Sequence, residues 1–136
     1  MTRFNRHLFN AFLAVSILSA APMARAQGAK IQALTPQTLD PAIKAGKWLI
    51  VEFGGQQCIP CVQMQPVLLE VQKKLGDKGQ VHNFWIQEYP DTARRFQIMV
   101  MPTQIIFDAK GKEVLRHQGY WDLEAFQQTL KTKGIL

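Results

Sequence analysis

The chain has 136 residues, 47% of them hydrophobic, with 16 Lys and Arg against 10 Asp and Glu and a formal net charge of +6. At roughly 100–200 residues per domain this is one globular domain, which excludes a two-lobed enzyme, a multi-repeat solenoid and a polytopic membrane protein. Arg3, Arg6 and Arg25 carry part of the charge. The basic groups beyond them are scattered and read as solvated faces, so no nucleic-acid partner is expected.

The first 26 residues contain no acid. Arg3 and Arg6 precede an apolar stretch from Leu8 to Ala21, and Ala24-Arg25-Ala26 offers small side chains at both positions a signal peptidase must accommodate. That apolar stretch is shorter than the ~20 residues a transmembrane helix needs. The expectation is a secretory signal peptide over residues 1–26, a mature domain over 27–136 and a periplasmic location. Both cysteines lie in Cys58-Ile59-Pro60-Cys61. An oxidising compartment with one very local cysteine pair suggests a pair that works by switching state.

In chain order, Gly28 to Leu34 reads as a linker passing into an edge strand. A helix follows from Thr35-Pro36, with Leu39, Ala42 and Ile43 at helical spacing and Gly46 at its end. Trp48 to Phe53 is a continuous apolar run of strand length, expected to be covered on both faces. Gly54-Gly55 breaks it. From Ile59, the residues Cys61, Met64, Leu68, Val71 and Leu75 recur at helical spacing, with Gln63, Glu70, Lys73 and Lys74 towards water. Pro66 should kink this helix, and Gly76 and Gly79 should close it. Val81 to Ile86 is the next strand, and Asp91 is the expected N-cap of a short helix through Phe96. Met101-Pro102-Thr103 opens a strand through Phe107, Asp108 to Gly111 is a hairpin turn, and Val114 to His117 is the returning strand. Asp122 caps a last helix carrying Leu123, Phe126 and Leu130. The order βα, βα, βα, ββα implies an α/β domain whose central mixed sheet has helices on both faces.

A Cys-x-x-Cys at a strand-to-helix junction has a definite chemistry. The thiolate attacks a disulfide, and a helix N-terminus stabilises negative charge. Cys58 sits at that N-terminus and can be exposed, while Cys61 lies one turn inside, on the core-facing stripe. Half of a zinc site or an inert local bridge are the competing readings. A zinc site needs four ligands, and only His82 and His117 remain beyond residue 26. A Cu(I) chaperone using the cysteines with nearby Met is the other metal reading, but no metal is expected. Met64, Met99 and Met101 are expected in the core and groove. Glu52, in the middle of an apolar strand, should be buried and hold its proton tightly.

The run Val51-Glu-Phe-Gly-Gly-Gln-Gln-Cys58-Ile-Pro-Cys61, followed by Pro66, Met101-Pro102-Thr103 and Gly119, resembles the thioredoxin family from Trp48 to the C-terminus. That resemblance implies a thioredoxin-like fold and a thiol–disulfide oxidoreductase with no cofactor. Cys58 would be the attacking thiol and Cys61 the resolving one. Glu52 takes the place of the family's buried acid, usually Asp, which moves protons to and from the resolving sulfur. Pro102 would be the family's cis proline, with Met101, Gly119, Ile59 and Pro60 bordering the substrate groove. Proline before Thr103 also deletes a backbone donor, which suits an edge facing a ligand.

Three departures bear on substrate range. Gln57 stands where a Trp commonly precedes the first cysteine, Ile59 replaces a Gly, and Asn83 replaces a Lys that often pairs with the buried acid. The stretch ending at Gly119 is similar to exported proteins linked to cytochrome c biogenesis and to membrane reductant conduits of the DsbD/CcdA type. The implied role is a monomeric reductase of protein disulfides with such a conduit as electron donor. A dithiol oxidase of the DsbA type, which carries a histidine between the cysteines and a helical insertion, is the first alternative. A non-catalytic copper- or protein-binding module is the second.

Overall fold

The computed structural model describes residues 29–136. The expected signal peptide and its cleavage point lie outside the described residues. Five strands form one mixed sheet: β1 (Ala33–Leu34), β2 (Trp48–Gly54), β3 (Gly79–Trp85), β4 (Thr103–Phe107) and β5 (Glu113–Gln118). Between and after them run α1 (Pro36–Ile43), α2 (Ile59–Leu75), α3 (Pro90–Arg95) and α4 (Leu123–Thr132). The strand order is β1-β3-β2-β4-β5. β1 and β2 each pair with β3 in parallel, and β4 pairs antiparallel with β2 and β5. The expected α/β class and element order are those observed.

β2 is the centre of the molecule, and its side chains alternate between two cores. Ile50 packs with Met64, Leu68 and Val71 of α2 and Phe126 and Leu130 of α4. Leu49, Val51 and Phe53 pack on the other face with Leu39 and Ile43 of α1 and with Phe84 and Phe107. A strand buried on both faces needs apolar residues at consecutive positions, which is why Trp48 to Phe53 reads as an unbroken run. Glu52 is the polar exception, and the alternation turns it towards α2.

Several boundaries differ from the sequence expectation. Gly54 does not break β2 but ends it as a paired residue opposite Trp85. Gly79 does not close α2 but opens β3 opposite Trp48, where an added Cβ would lie 2.4 Å from the Trp48 carbonyl oxygen. β3 accordingly runs over 79–85. Asp91 is not the N-cap of α3; Tyr89 holds that position, with Pro90 in the first turn. A proline there lacks only an N–H that the helix could not use, and its φ is already helical. Asp122 caps α4 as expected, its Oδ1 accepting from the Ala125 N–H at 2.9 Å. α2 is one continuous 17-residue helix through Pro66. β4 is an interior strand and not an edge. Pro102 precedes its ladder, which begins at Thr103, so the missing N–H removes no bond from either neighbour.

Candidate functional site

α2 begins immediately after Cys58, which is its N-cap residue. The loop from β2 is closed by the Cys58 N–H donating to the Gly55 carbonyl at 3.2 Å, and the helix starts with the Val62 N–H donating to the Cys58 carbonyl at 3.0 Å. Cys58 and Cys61 are joined by a disulfide, with their Cα atoms 5.2 Å apart. The pair is asymmetric. Cys58 is half-buried at the mouth of the site, whereas Cys61 is 1% exposed and belongs to the core. The unpaired N–H groups and dipole of the first turn of α2 favour negative charge at the Cys58 sulfur.

Gly54 brings the buried acid to the buried sulfur. A Cβ at Gly54 would lie 2.9 Å from Cys61 Sγ and 3.4 Å from Glu52 Oε1, so both groups press into the space a side chain would take. Glu52 has no exposed surface. Burial pushes its carboxyl from an ordinary value of 4.5 up to about 8, with the Gln104 side chain across the ladder opposing the shift. Glu52 Oε2 and Gln104 Oε1 are both buried without a hydrogen-bond partner. Desolvation outweighs the opposing Gln104 contribution, so the carboxyl holds its proton tightly.

Around Glu52 stand three amides, Gln65, Asn83 and Gln104, of which sequence reasoning placed only Asn83 at the site. Gln65 Nε2 donates to Glu52 Oε1 at 3.3 Å. Asn83 is Glu52's register partner on β3 and is 1% exposed, and it exchanges hydrogen bonds with Gln65 in both directions. Gln104 Nε2 donates to the Gly119 carbonyl at 3.3 Å. The expected loss of a lysine counter-charge is what the structure has: an amide stands there, and among the described residues no ion pair reaches Glu52. Gln65 had one usable signal, its position one turn beyond Cys61 on the same helix face.

Pro102 is buried, and the Met101–Pro102 peptide is cis. The Gly119 N–H donates to the Pro102 carbonyl at 2.7 Å, which ties these two expected groove residues together. Met101 is half-buried, while Ile59 is 73% exposed and Pro60 partly so. Met64 is core, but Met99 is 84% exposed and belongs to neither the core nor a closed groove. Gln56 Nε2 donates to Glu88 Oε1 at 2.9 Å, linking the loop before the dithiol to the β3–α3 connection. His82 bonds to the Gln32 carbonyl and the Gln80 side chain.

A family model described as a thioredoxin-like domain matches residues 35–134. The chain is 39% identical over 104 residues to thioredoxin Y, chloroplastic, of Oryza sativa subsp. japonica, covering 74% of this chain and 61% of that protein. It is 35% identical over 97 residues to a thioredoxin of Alicyclobacillus acidocaldarius subsp. acidocaldarius, covering 71% of this chain and 91% of that one. Among solved structures, chloroplastic thioredoxin z superposes with a TM-score of 0.68 at 24% identity, over 76% of this chain and 94% of that chain. Oxidised mitochondrial thioredoxin 3 from Saccharomyces cerevisiae superposes at 0.66, also at 24% identity, over 75% and 94%. At those identities the structural likeness is one of fold.

Proposed function

The chain belongs to the thioredoxin-like domain family, and we propose that it is an exported reductase of protein disulfides. Its dithiol places it among thiol–disulfide oxidoreductases. The observation that carries the reading is the asymmetry of the Cys58–Cys61 pair, one sulfur at the mouth of the site and the other buried beside Glu52.

In the reduced protein the Cys58 thiolate attacks one sulfur of a substrate disulfide. The substrate S–S bond breaks, one substrate sulfur leaves as a thiolate, and the other is bonded to Cys58. Cys61 then gives its proton to the Glu52 carboxylate and attacks the Cys58 sulfur. The Cys58–substrate bond breaks, the second substrate thiolate leaves and is protonated by water, and the Cys58–Cys61 disulfide remains. Two electrons pass to the substrate. Substrate would lie along Ile59, Pro60, Met101, Pro102 and Gly119, with the Met101 backbone pairing an extended segment. The bulk of Ile59 and the absence of an indole at Gln57 favour an apolar, narrow contact over ring stacking.

The exported location rests on Arg3, Arg6, the apolar stretch from Leu8 to Ala21 and the Ala24-Arg25-Ala26 site. A reductase in an oxidising compartment needs a continuous electron supply, which a DsbD/CcdA-type membrane conduit would give. The chain would act as a monomer, its exposed Ile59 docking donor and substrate in turn. The test is trapping in cells. Cys61→Ser should accumulate mixed disulfides with periplasmic proteins and with the conduit, and the wild-type chain should reduce insulin disulfides. A Cys61→Ser protein that traps nothing, together with a chain that leaves insulin intact, overturns the reading.

A further inference from the structure

Glu52 must give up its proton after each resolution step in the cycle proposed above, yet it has no exposed surface. The side chains facing it are Cys61 and Gln65 from α2, Asn83 from β3 and Gln104 from β4. Asn83 and Gln104 are buried, whereas Gln65 is half-buried. Together with Cys61 and Asn83, Gln65 lines an open cavity of about 470 Å³ bounded by Ile31, Leu69 and Trp85. Among the described residues, Gln65 is the cavity-lining side chain that also makes a hydrogen bond to the carboxyl.

Its hydrogens are oversubscribed. Gln65 Nε2 lies 3.3 Å from Glu52 Oε1, 3.2 Å from the Cys61 carbonyl and 3.2 Å from Asn83 Oδ1, but an amide nitrogen carries only two hydrogens. The reciprocal pairing with Asn83 uses one of them, since Asn83 Nδ2 returns a bond to Gln65 Oε1 at 2.9 Å and is itself anchored on the Ile31 carbonyl at 3.2 Å. One hydrogen is left for two acceptors.

We infer that Gln65 is the positioning residue for proton exchange at Glu52, its free hydrogen passing between Glu52 Oε1 and the Cys61 carbonyl as the carboxyl loses and regains its proton, with the proton leaving to water in the adjoining cavity. A charged carboxylate takes the hydrogen, because a bond to an ionised acceptor is roughly twice as strong as a neutral one. A protonated carboxyl releases it to the Cys61 carbonyl, at the first turn of α2. The proton is conserved throughout: Cys61 supplies it to Glu52, and water accepts it from Glu52. Of the facing groups only Cys61 titrates, once reduced, and the exposed Lys30 is a cation among the cavity's lining residues.

This inference rests on Glu52 being the proton acceptor, and the test separates the two. Resolution of a Cys58 mixed disulfide is followed by stopped flow from pH 6 to pH 10 in the mature chain. Glu52→Gln should abolish the rate step assigned to the carboxyl; an unchanged profile overturns the acceptor role and this inference with it. Given that result, Gln65→Met keeps the shape but removes the donor to the carboxylate, and should move the midpoint upward by about one pH unit. Gln65→Leu serves if the first variant folds poorly and should shift it likewise. A midpoint that stays in place while the rate falls equally at every pH marks a merely structural glutamine and overturns the inference alone. Leu69→Trp, whose indole would crowd the cavity, should slow multiple-turnover reduction of insulin, in which Glu52 must release its proton between cycles; an unchanged turnover rate overturns the cavity route.

Discussion

Glu52 sits in the central strand, which contributes to both cores, so its ionisation is coupled to the whole fold. Its folded value of about 8 lies above the ordinary 4.5. Between those values the folded state binds more protons than the unfolded chain, and stability falls as pH rises, by about 1.4 kcal/mol for each unit across that window. The stabilising contribution is complete below pH 4.5 and is lost as pH passes through 8. Glu52→Gln should remove this slope, leaving the variant more stable than wild type at pH 9, as urea melts at pH 5, 7 and 9 would show. An identical slope in the variant would assign the linkage to another group. Gly54→Ala tests the same contact from the other side. Its Cβ would meet Cys61 Sγ at 2.9 Å, and a disulfide-bonded sulfur cannot turn away. The substitution should destabilise the oxidised protein by about 1–3 kcal/mol and the reduced protein less, which urea midpoints in both redox states would resolve. Glu52 was legible in the sequence because an acid inside an apolar run has few explanations. Gln65 and Gln104 were not, because an uncharged amide is equally at home facing water, and only the ladder and the helix phase show which way it points.

At the scale of elements, α2 separates the two thiols by exposure. Its first turn holds Cys58 at the half-open N-cap position and turns Cys61 inward against β2. Reduced protein treated with limiting iodoacetamide at neutral pH should therefore be carboxamidomethylated at Cys58 first, with Cys61 slow, as peptide mass mapping would show. Equal rates at the two positions would contradict the geometry. This helix was readable because apolar spacing from Cys61 to Leu75 is regular over four turns. The glycines around it were not, because a glycine that ends an element and a glycine that permits a close approach look alike in sequence. Gly54 and Gly79 are of the second kind, paired inside strands and pressed against Cys61 Sγ and the Trp48 carbonyl. Asp91 was misplaced for a related reason: capping preference suggests an aspartate, but the fixed φ of Pro90 decides where α3 begins.

For the molecule as a whole, the direction of electron flow depends on how far the fold favours the reduced dithiol, since a stabilised Cys58 thiolate makes an oxidant, as in the DsbA case near −120 mV. The first turn of α2 supplies a dipole, but Gly54 to Gln57 contain no cation and Ile59-Pro60 carries no charge between the sulfurs. A charge tied to that loop has the wrong sign, because Gln56 holds the Glu88 carboxylate at 2.9 Å. A potential more negative than about −200 mV against glutathione is expected, on the reductant side of the known scale. Ile59 offers a way to move it. At 73% exposure its side chain can be exchanged without disturbing either core. Ile59→His would place an imidazole beside Cys58 and should shift the potential upward by about 30 mV or more, which is about 1.4 kcal/mol for this two-electron couple. Glu88→Gln, which removes the opposing charge, should shift it the same way by a smaller amount. A wild-type potential near −120 mV, with a fully oxidised pool in cells, would mean that the protein delivers disulfides instead of removing them.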